Sequence, residues 1–219
     1  MVAIQPASLS ARLVRARFEV ALAPNGAPWK RATESVIPLE PTPLDRQPSA
    51  YVQVAHRTRP RGNVPEVRVR TVTTATALFV RLQWSAPRPV RLIDDVNVYA
   101  DSCAVLFPAD GKEAELGTMG SPTRPVAAWH WRAGTETPFS VTATGLGTVE
   151  RQREHALQAR GRWDDGEWSV VFGHALDGAT MPLDHGATVR VSFAVWTGVA
   201  NERAGLKSHS PIWHGLLIG

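Results

Sequence analysis

The stretch ARGRWDDGEWSVVFGHAL, residues 159–176, sets two apolar and aromatic runs on either side of the pair Asp165-Gly166. Asp-Gly is a preferred pair for a two-residue hairpin turn, because both turn positions need a positive φ angle. Runs rich in Trp, Val and Phe on each side are typical of strands. The stretch therefore predicts an antiparallel β-hairpin at this point of the chain.

The same strand pattern recurs before and after this hairpin. EVRVRTVTT (66–74), TALFVRLQW (76–84) and TVRVSFAVW (188–196) alternate apolar residues with polar or small ones, as strands with a buried face do. Seventeen glycines and seventeen prolines punctuate short segments, and only VERQREHALQ (149–158) offers a short helix. We therefore predict a mainly β fold, an antiparallel β-sandwich with few short helices.

Residues 24–65 are the least strand-like part of the chain, being rich in proline and polar residues. This composition predicts an extended arm that lies on the body of the protein or on another subunit. No break in composition marks a second domain, and no internal repeat occurs in the sequence. Residues 1–219 are therefore predicted to form a single domain.

Composition and charge exclude several classes of protein. The 219 residues are 43% hydrophobic, enough for a sizeable core, and no run of 18 apolar residues predicts a membrane span. The net charge of +4 comes mostly from arginines scattered along predicted strands, with no stripe or motif for nucleic acid. The N-terminus lacks the apolar core of a signal peptide and is interpreted as mature sequence.

Several cofactor and catalytic classes need residues that this sequence lacks. The single cysteine, Cys103, rules out an intramolecular disulfide, a four-cysteine zinc site and a self-held iron–sulfur cluster. Covalent haem attachment is excluded without C-x-x-C-H, and no compact histidine motif, nucleophile elbow, P-loop or dinucleotide fingerprint occurs. Asp94-Asp95 and Asp164-Asp165 are interpreted as turn residues. The chain is therefore predicted not to be an enzyme by itself.

Eight tryptophans in a predicted β-sandwich suggest sugar binding by ring stacking, as in carbohydrate-binding modules. Most of them belong in the core, because tryptophan is large and mainly apolar. Trp29 in the proline-rich segment and Trp213 near the C-terminus are the two predicted to be exposed. A carbohydrate-binding module is therefore one candidate function.

Met119 and Lys207 stand where core packing does not require such residues. Met119 lies on the loop ELGTMGSPTRP (115–125) between Gly117 and Gly120, and Lys207 is one of only three lysines. Each has an ordinary interpretation, as a methionine that fills a gap or as a solvated loop lysine. The residues around the two are more specific than either residue alone.

Those surrounding residues follow the pattern of a known family. They are AVLFPADGKEAELGTMGSPTRPVAAWHWRAG (104–134) and VSFAVWTGVANERAGLKSHSPIW (191–213), with weaker similarity in LFVRLQWSAP (78–87). They resemble the haem b (gamma) subunit of type II molybdenum enzymes of the dimethyl sulfoxide reductase family. That group includes ethylbenzene dehydrogenase, dimethylsulfide dehydrogenase, chlorate reductase and selenate reductase.

The resemblance implies that Met119 and Lys207 are the axial ligands of one non-covalent haem b, in a pocket formed by loops at the sheet edge. A glycine-flanked loop can carry a thioether into such a pocket. Only a neutral amine has a lone pair to donate, so burial must lower the pKa of Lys207. His130 is either a structural histidine or the competitor of Met119 as ligand. Arg124 is expected either to pair with a haem propionate or to be a solvated turn residue.

The resemblance also implies partners and a location. It places the chain in a heterotrimer with an iron–sulfur (beta) subunit and a molybdenum–pterin catalytic (alpha) subunit, exchanging electrons with an external cytochrome c-type carrier. The segment TRPVAAWHWRAG (123–134) most resembles the members that oxidise hydrocarbons or steroids. The implied location is the periplasm, reached with a signal since removed or through a partner. A haem-free carbohydrate-binding module and a stand-alone haem protein are the alternatives.

Overall fold

The computed structural model describes residues 5–93, 98–135, 137–152, 156–177 and 183–219. The described chain has two short α-helices, α1 (Phe18–Leu22) and α2 (Ala50–Ala55), and two 3₁₀ turns at Ala27–Lys30 and Gly198–Ala200. Its strands are β1 (Ser8–Leu13), β2 (Glu34–Pro38), β3 (Glu40–Pro41), β4 (Glu66–Thr73), β5 (Ala77–Ser85), β6 (Ser102–Pro108), β7 (Gly120–Ser121), β8 (Arg124–Arg132), β9 (Phe139–Ala143), β10 (Glu150–Gln152), β11 (Leu157–Asp164), β12 (Glu167–Ala175), β13 (Thr188–Trp196), β14 (Ser208–His209) and β15 (His214–Ile218). The prediction of a mainly β fold with few short helices is confirmed.

The strands join into one hydrogen-bonded path, in the order β10-β9-β8-β6-β13-β15-β1-β4-β5-β12-β11. Neighbours along it run antiparallel except at β1, which runs parallel to both β15 and β4. We call strands β10, β9, β8, β6 and β13 the cavity sheet, and strands β4, β5, β12 and β11 the rear sheet. The two pack face to face and share one large core, as in a β-sandwich.

Side chains of the central strands alternate between two buried faces. In β6, Cys103, Val105 and Phe107 belong to the core between the sheets, whereas Ala104 and Leu106 belong to a second cluster on the outer face of the cavity sheet. Successive side chains of a strand point to opposite faces, so a strand covered on both sides becomes continuously apolar. The outer face of the cavity sheet is therefore built to be covered.

The Asp-Gly hairpin forms as predicted. Asp164 pairs with Glu167, so β11 and β12 are joined by only two residues. Asp165 has φ 44° and Gly166 has φ 79°, the two positive angles that a type I′ turn requires. The hairpin completes one edge of the rear sheet.

The helix predicted for residues 149–158 is wrong. Glu150–Gln152 forms β10 and pairs with residues 140–142 of β9, while Leu157 begins β11 and pairs with His174. Residues 153–155 between them lie outside the described ranges, as do Asp94 and Asp95, which the sequence assigned to a turn. Strand pairing at the two sheet edges outweighs the local helix propensity of this polar segment.

Residues 24–65 lie along the body and form elements of their own. Within this segment β2 pairs with β4, β3 pairs with β14, and α2 begins at its N-cap Ser49, whose side chain accepts a hydrogen bond from the Val52 N–H. The segment is thus attached to the body by two strand pairs and includes one short helix.

Trp29 and Trp213 are both buried, so the prediction that they are exposed is wrong. The indole N–H of Trp29 donates to the carbonyl of Ala21 at 3.0 Å, and that of Trp213 donates to the carbonyl of Ala114 at 2.8 Å. A tryptophan in an irregular segment can still bury its ring when a backbone carbonyl meets its one polar atom.

Candidate functional site

A cavity of about 430 Å³ lies on the outer face of the cavity sheet. Its floor consists of alternate side chains from four adjacent strands: Ser102, Ala104 and Leu106 of β6, Ala128 and His130 of β8, Phe139 and Val141 of β9, and Trp196 of β13. Small side chains at its centre leave room for a ligand. The volume lies within the range of about 300–1,000 Å³ that is usual for small-molecule and cofactor sites.

Loops cover this floor. They are residues 145–149 before β10, the methionine loop (residues 115–120), and part of the lysine loop (residues 197–207), which follows β13. The sequence-based expectation placed the pocket among loops at the sheet edge. In the structure the loops supply the cover, and the face of the sheet supplies the floor.

Met119 lines the cavity from the methionine loop and is only 7% exposed. Its φ is 59°, which is uncommon for a residue other than glycine. The Met119 N–H donates to the Leu116 carbonyl at 3.1 Å, and the Gly120 N–H donates to the Glu115 carbonyl at 2.9 Å. The Met119 carbonyl in turn accepts a hydrogen bond, at 3.1 Å, from the N–H of Gly145 in the loop 145–149 that covers the cavity. A strained but fully hydrogen-bonded backbone thus holds the thioether at the cavity wall.

Lys207 is buried to 1% exposure, and its Nζ has no hydrogen-bond partner in the described part of the chain. It is not itself among the lining residues. Its Nζ lies 5.5 Å from the ring centroid of Trp196, which does line the cavity. A buried amine without an acceptor is costly and rare. Its position beside the cavity makes the amine a candidate to contact a bound ligand.

Burial lowers the pKa of Lys207 to about 8. The charged form is the one that burial disfavours. Loss of the proton at neutral pH is therefore easier for Lys207 than for an ordinary lysine.

The lysine loop is held by residues from the segment 24–65. The carbonyl of Lys207 accepts hydrogen bonds from the N–H and the hydroxyl of Thr42, at 3.0 and 3.3 Å. The side-chain amide of Gln47 donates to the carbonyl of Gly205 at 3.2 Å. The strand pair β3–β14 continues these contacts just past the lysine.

Glu202 ties the start of the same loop to the end of that segment. Its buried carboxylate accepts from the Gly62 N–H at 2.6 Å, and from the N–H and hydroxyl of Thr197 at 2.8 and 3.1 Å. Burial raises the pKa of Glu202, and these hydrogen bonds oppose that rise. The carboxylate is a structural acceptor that faces its own loop.

Asp101 anchors the base of the lysine loop to the rear sheet. Its buried carboxylate accepts from the Gly198 N–H at 2.8 Å and from the indole N–H of Trp168 at 2.9 Å. The loop that carries Lys207 is thus fixed at three points by residues distant in sequence.

His130 lines the cavity between two rings. Its imidazole lies 4.6 Å from the ring of Phe139 and 5.2 Å from that of Trp196, and its Nδ1 has no partner among the described residues. Burial, and then the charges of Arg132, Arg151 and Lys207, lower its pKa to about 3. The ring is therefore neutral at pH 7, and its place in the floor keeps it a candidate ligand beside Met119.

Arg124 does not line the cavity. It lies exposed at the start of β8, where its guanidinium is 3.5 Å from the carboxylate of Asp110. The arginines that do line the cavity are Arg132, Arg151 and Arg203. The sequence-based choice of Arg124 for a propionate thus finds no support in its position, because proximity in sequence to the methionine loop does not bring its side chain into the pocket.

Within the described ranges, no cluster of three or more His, Cys, Asp or Glu side chains is arranged to bind a metal ion. None of the helices in that part of the chain is long and apolar enough to cross a bilayer.

A protein-family model described as ethylbenzene dehydrogenase matches residues 27–156, more than half of the chain. The match includes the methionine loop and four of the five strands of the cavity sheet. This chain belongs to the ethylbenzene dehydrogenase family. The family resemblance inferred from the sequence is confirmed.

Two curated relatives extend the match beyond the ethylbenzene dehydrogenase family model. The gamma subunit of chlorate reductase from Ideonella dechloratans is 33% identical over 88% of this chain and 78% of its own length. A Haloferax mediterranei protein named as a respiratory nitrate reductase heme subunit is 31% identical over 81% of this chain and 67% of its own length.

Among solved structures, a family 9 carbohydrate-binding module from Caldicellulosiruptor kristjanssonii, in complex with glucose, is similar in fold to this member of the ethylbenzene dehydrogenase family. The similarity covers 97% of this chain and 96% of that chain, with a TM-score of 0.53 and 8% identity. At this identity the likeness shows a shared β-sandwich and nothing about the ligand.

Proposed function

We propose that this chain is the haem b-binding electron-transfer subunit of a molybdenum enzyme complex, with Met119 and Lys207 as the axial ligands. The observation that carries the proposal is the Lys207 amine, which is buried, has no hydrogen-bond partner among the described residues, and lies beside an apolar cavity that Met119 lines. The name of the Haloferax relative, a heme subunit, supports the cofactor, and that of the Ideonella relative, a gamma subunit, supports assembly with other subunits.

The residues present fit this cofactor. The floor is mainly apolar and is one broad face of a sheet, which suits the apolar body of a macrocycle. A bound haem b supplies one-electron chemistry at its iron. Met119 offers a soft thioether that favours the ferrous state, and Lys207 offers an amine whose pKa burial has already lowered to about 8. With two protein ligands assigned, the chain transfers electrons and does not convert a substrate.

The proposed partners are an iron–sulfur subunit, a molybdenum–pterin catalytic subunit and an external cytochrome c-type carrier, and the proposed location is the periplasm. A family model named for ethylbenzene dehydrogenase and a relative named for chlorate reductase both match the sequence of this chain. We therefore propose that the catalytic subunit determines the direction of electron flow. The similarity of residues 123–134 to hydrocarbon-oxidising members supports a parent enzyme that oxidises a hydrocarbon or a steroid.

The segment 24–65 is proposed to contact a partner subunit through α2. Two apolar side chains of this helix are largely exposed, Tyr51 at 79% and Val54 at 61%. Replacing both by serine would leave the contacts of the lysine loop intact while removing this apolar surface. We expect weaker recovery of the partners in co-purification, and full recovery of the intact complex would contradict this contact.

The test of the ligands is a visible absorption spectrum of the purified chain with haem, oxidised and then reduced with dithionite. We expect a sharp Soret band and narrow reduced α and β bands, which indicate six-coordinate low-spin haem. Met119→Ala and Lys207→Ala should each convert the spectrum to a high-spin form. Lys112→Ala, which removes an exposed lysine, is the matched control and should leave it unchanged.

Each other outcome points elsewhere. A spectrum that Met119→Ala leaves unchanged but His130→Ala disturbs would transfer the ligand role to His130. A chain that stays colourless with haem would refute the electron-transfer proposal and return sugar binding to first place.

A further inference from the structure

The described residues that line the cavity carry more positive than negative charge. Among them are Arg132, Arg151 and Arg203, together with one carboxylate, Glu202. That carboxylate is already engaged by the N–H groups of Gly62 and Thr197. Within the described ranges, none of the three arginines forms an ion pair with a carboxylate. As far as the described residues go, these guanidinium groups are thus available to an anionic ligand in a mainly apolar cavity.

Two of these arginines converge on one part of the wall. Arg132 lies on β8, two residues from His130 on the same face of the strand. Arg151 lies on β10 with its guanidinium carbon 4.0 Å from the ring centroid of Phe139, and that ring stacks on His130. Burial is the largest cause that lowers the pKa of His130, and the charges of Arg132 and Arg151 come next. This ranking agrees with the closeness of the two arginines to the His130 ring.

We propose that Arg132 and Arg151 bind the propionate groups of the haem, and so fix which edge of the macrocycle faces this part of the wall. The inference rests on the proposed function, because it assumes haem in this cavity. A macrocycle with an apolar body and carboxylates along one edge matches an apolar floor with a pair of arginines beside it. Guanidinium groups hold carboxylates by paired, charge-assisted hydrogen bonds.

The other arginines near the pocket are less suited to this role. Arg124 lies outside the lining and is near Asp110. Arg203 lines the cavity, but its guanidinium already donates a hydrogen bond to the hydroxyl of Tyr99. Arg132 and Arg151 are the two lining arginines whose charges lower the pKa of His130 in the cavity floor.

The test compares haem b with its dimethyl ester, which keeps the macrocycle and iron but lacks ionised carboxylates. The dissociation constant of each is measured by Soret titration of the full chain and of the Arg132→Gln/Arg151→Gln double variant. The native chain should bind the ester about ten- to a hundredfold more weakly than haem, as expected for the loss of charge-assisted hydrogen bonds. In the double variant this difference should fall below about threefold.

Three further variants serve as controls. Arg124→Gln and Arg203→Gln should keep the full discrimination between haem and ester. Arg132→Lys/Arg151→Lys keeps both charges and should restore at least part of it, which separates a charge effect from a folding defect. The thermal midpoint of each variant without haem reports the fold independently of haem binding.

The failure of this inference is distinguishable from the failure of the proposed function. If neither haem nor ester gives a Soret complex with the native chain, the proposed function fails and this inference fails with it. If both bind equally well, or if the double variant discriminates as strongly as the native chain, haem binding stands and the assignment of Arg132 and Arg151 is wrong. Loss of discrimination in Arg203→Gln alone would transfer the role to that residue.

Discussion

The methionine loop and the lysine loop present the two proposed ligands to one site, but they are built in different ways. The methionine loop is closed by hydrogen bonds within five residues, from Met119 to Leu116 and from Gly120 to Glu115. The lysine loop is held from far away, since Lys207 and Thr42 are 165 residues apart in sequence. The methionine loop is thus closed mainly by short-range hydrogen bonds, with one more from Gly145, whereas the lysine loop also depends on Thr42, Gln47 and Gly62.

This difference follows from what each ligand needs. A thioether is uncharged and already apolar, so a short turn is enough to place it in a wall. An amine must be taken out of water before it loses its proton readily, and that requires a buried backbone with every polar group satisfied. The contacts of Thr42, Gln47 and Glu202 supply those partners for the lysine loop. Four predictions examine the comparison, ordered by expected effect.

The largest effect is expected from Glu202→Ala. This change leaves the buried N–H groups of Gly62 and Thr197 without their acceptor, which should lower the free energy of unfolding by about 3 kcal/mol or more. Urea unfolding of the haem-free chain measures it. The matched control is Glu115→Ala in the methionine loop, because that side chain is 65% exposed and lies 4.0 Å from Arg46. A comparable loss in both variants would show that the two loops are not held differently.

The second effect is a dependence of the haem-free chain's stability on pH. The pKa of Lys207 is about 8 in the folded chain and 10.5 in the unfolded chain, so between these values the unfolded chain binds the additional proton. The free energy of unfolding contributed by this group therefore rises with pH across that window, by up to about 3 kcal/mol. The quantity to measure is the difference between the native chain and Lys207→Met, with Lys112→Met as control. A difference that stays flat from pH 8 to 10.5 would contradict the burial of a proton-accepting amine.

The third prediction compares one variant that affects the lysine loop with one that affects the methionine loop. Gln47→Ala removes a hydrogen bond to the lysine loop, and Gly120→Ala sets a Cβ against the Arg124 carbonyl at a φ of 78° in the methionine loop. Each change should lower the free energy of unfolding by about 2 kcal/mol. With haem bound and reduced, the NMR resonance of the ligand methionine methyl group should persist in Gln47→Ala and be lost or displaced in Gly120→Ala. The opposite pattern would mean that Gln47 supports Met119.

The smallest effect is expected from Ala204→Gly. Ala204 has φ 49°, a left-handed conformation that favours glycine, and its carbonyl accepts from the Trp196 indole N–H at 3.0 Å. The change should stabilise the chain by less than about 1 kcal/mol. Ala200→Gly in the neighbouring 3₁₀ turn is the control and should destabilise it by about 0.5–1 kcal/mol. Thermal midpoints of the two variants that move in the same direction would contradict the strain argument.

The sequence predicted the parts of the fold that depend on neighbouring residues. Asp165-Gly166 requires its turn, and strand alternation in residues 66–84 and 188–196 requires a sheet. The same reasoning failed for residues 149–158, where strand pairing with β9 and β12 outweighs local propensity. It failed again for Trp29 and Trp213, because local composition does not report which carbonyl a distant segment brings to an indole N–H.

The residues of the candidate site also differ in whether the sequence alone indicates them. The glycine-flanked methionine and the Glu-Arg-x-Gly-x-Lys-Ser stretch are visible in the sequence, which is why Met119 and Lys207 could be named from it. Arg132 and Arg151 were not singled out as a pair, since they lie on different strands and meet only around His130 and Phe139. Gln47 carries no local signal at all, because its partner Gly205 is 158 residues away.

The sequence by itself thus predicted a β-sandwich, its family and, through the family resemblance, Met119 and Lys207 as the proposed haem ligands. The tertiary structure decided where the cavity lies, which arginines line it, and how far the Lys207 amine is withdrawn from water. The physical reason is that turns and alternation are properties of adjacent residues, whereas desolvation depends on every segment that packs around a group. The segment 24–65 holds the backbone of the lysine loop, and only the folded chain brings the two together.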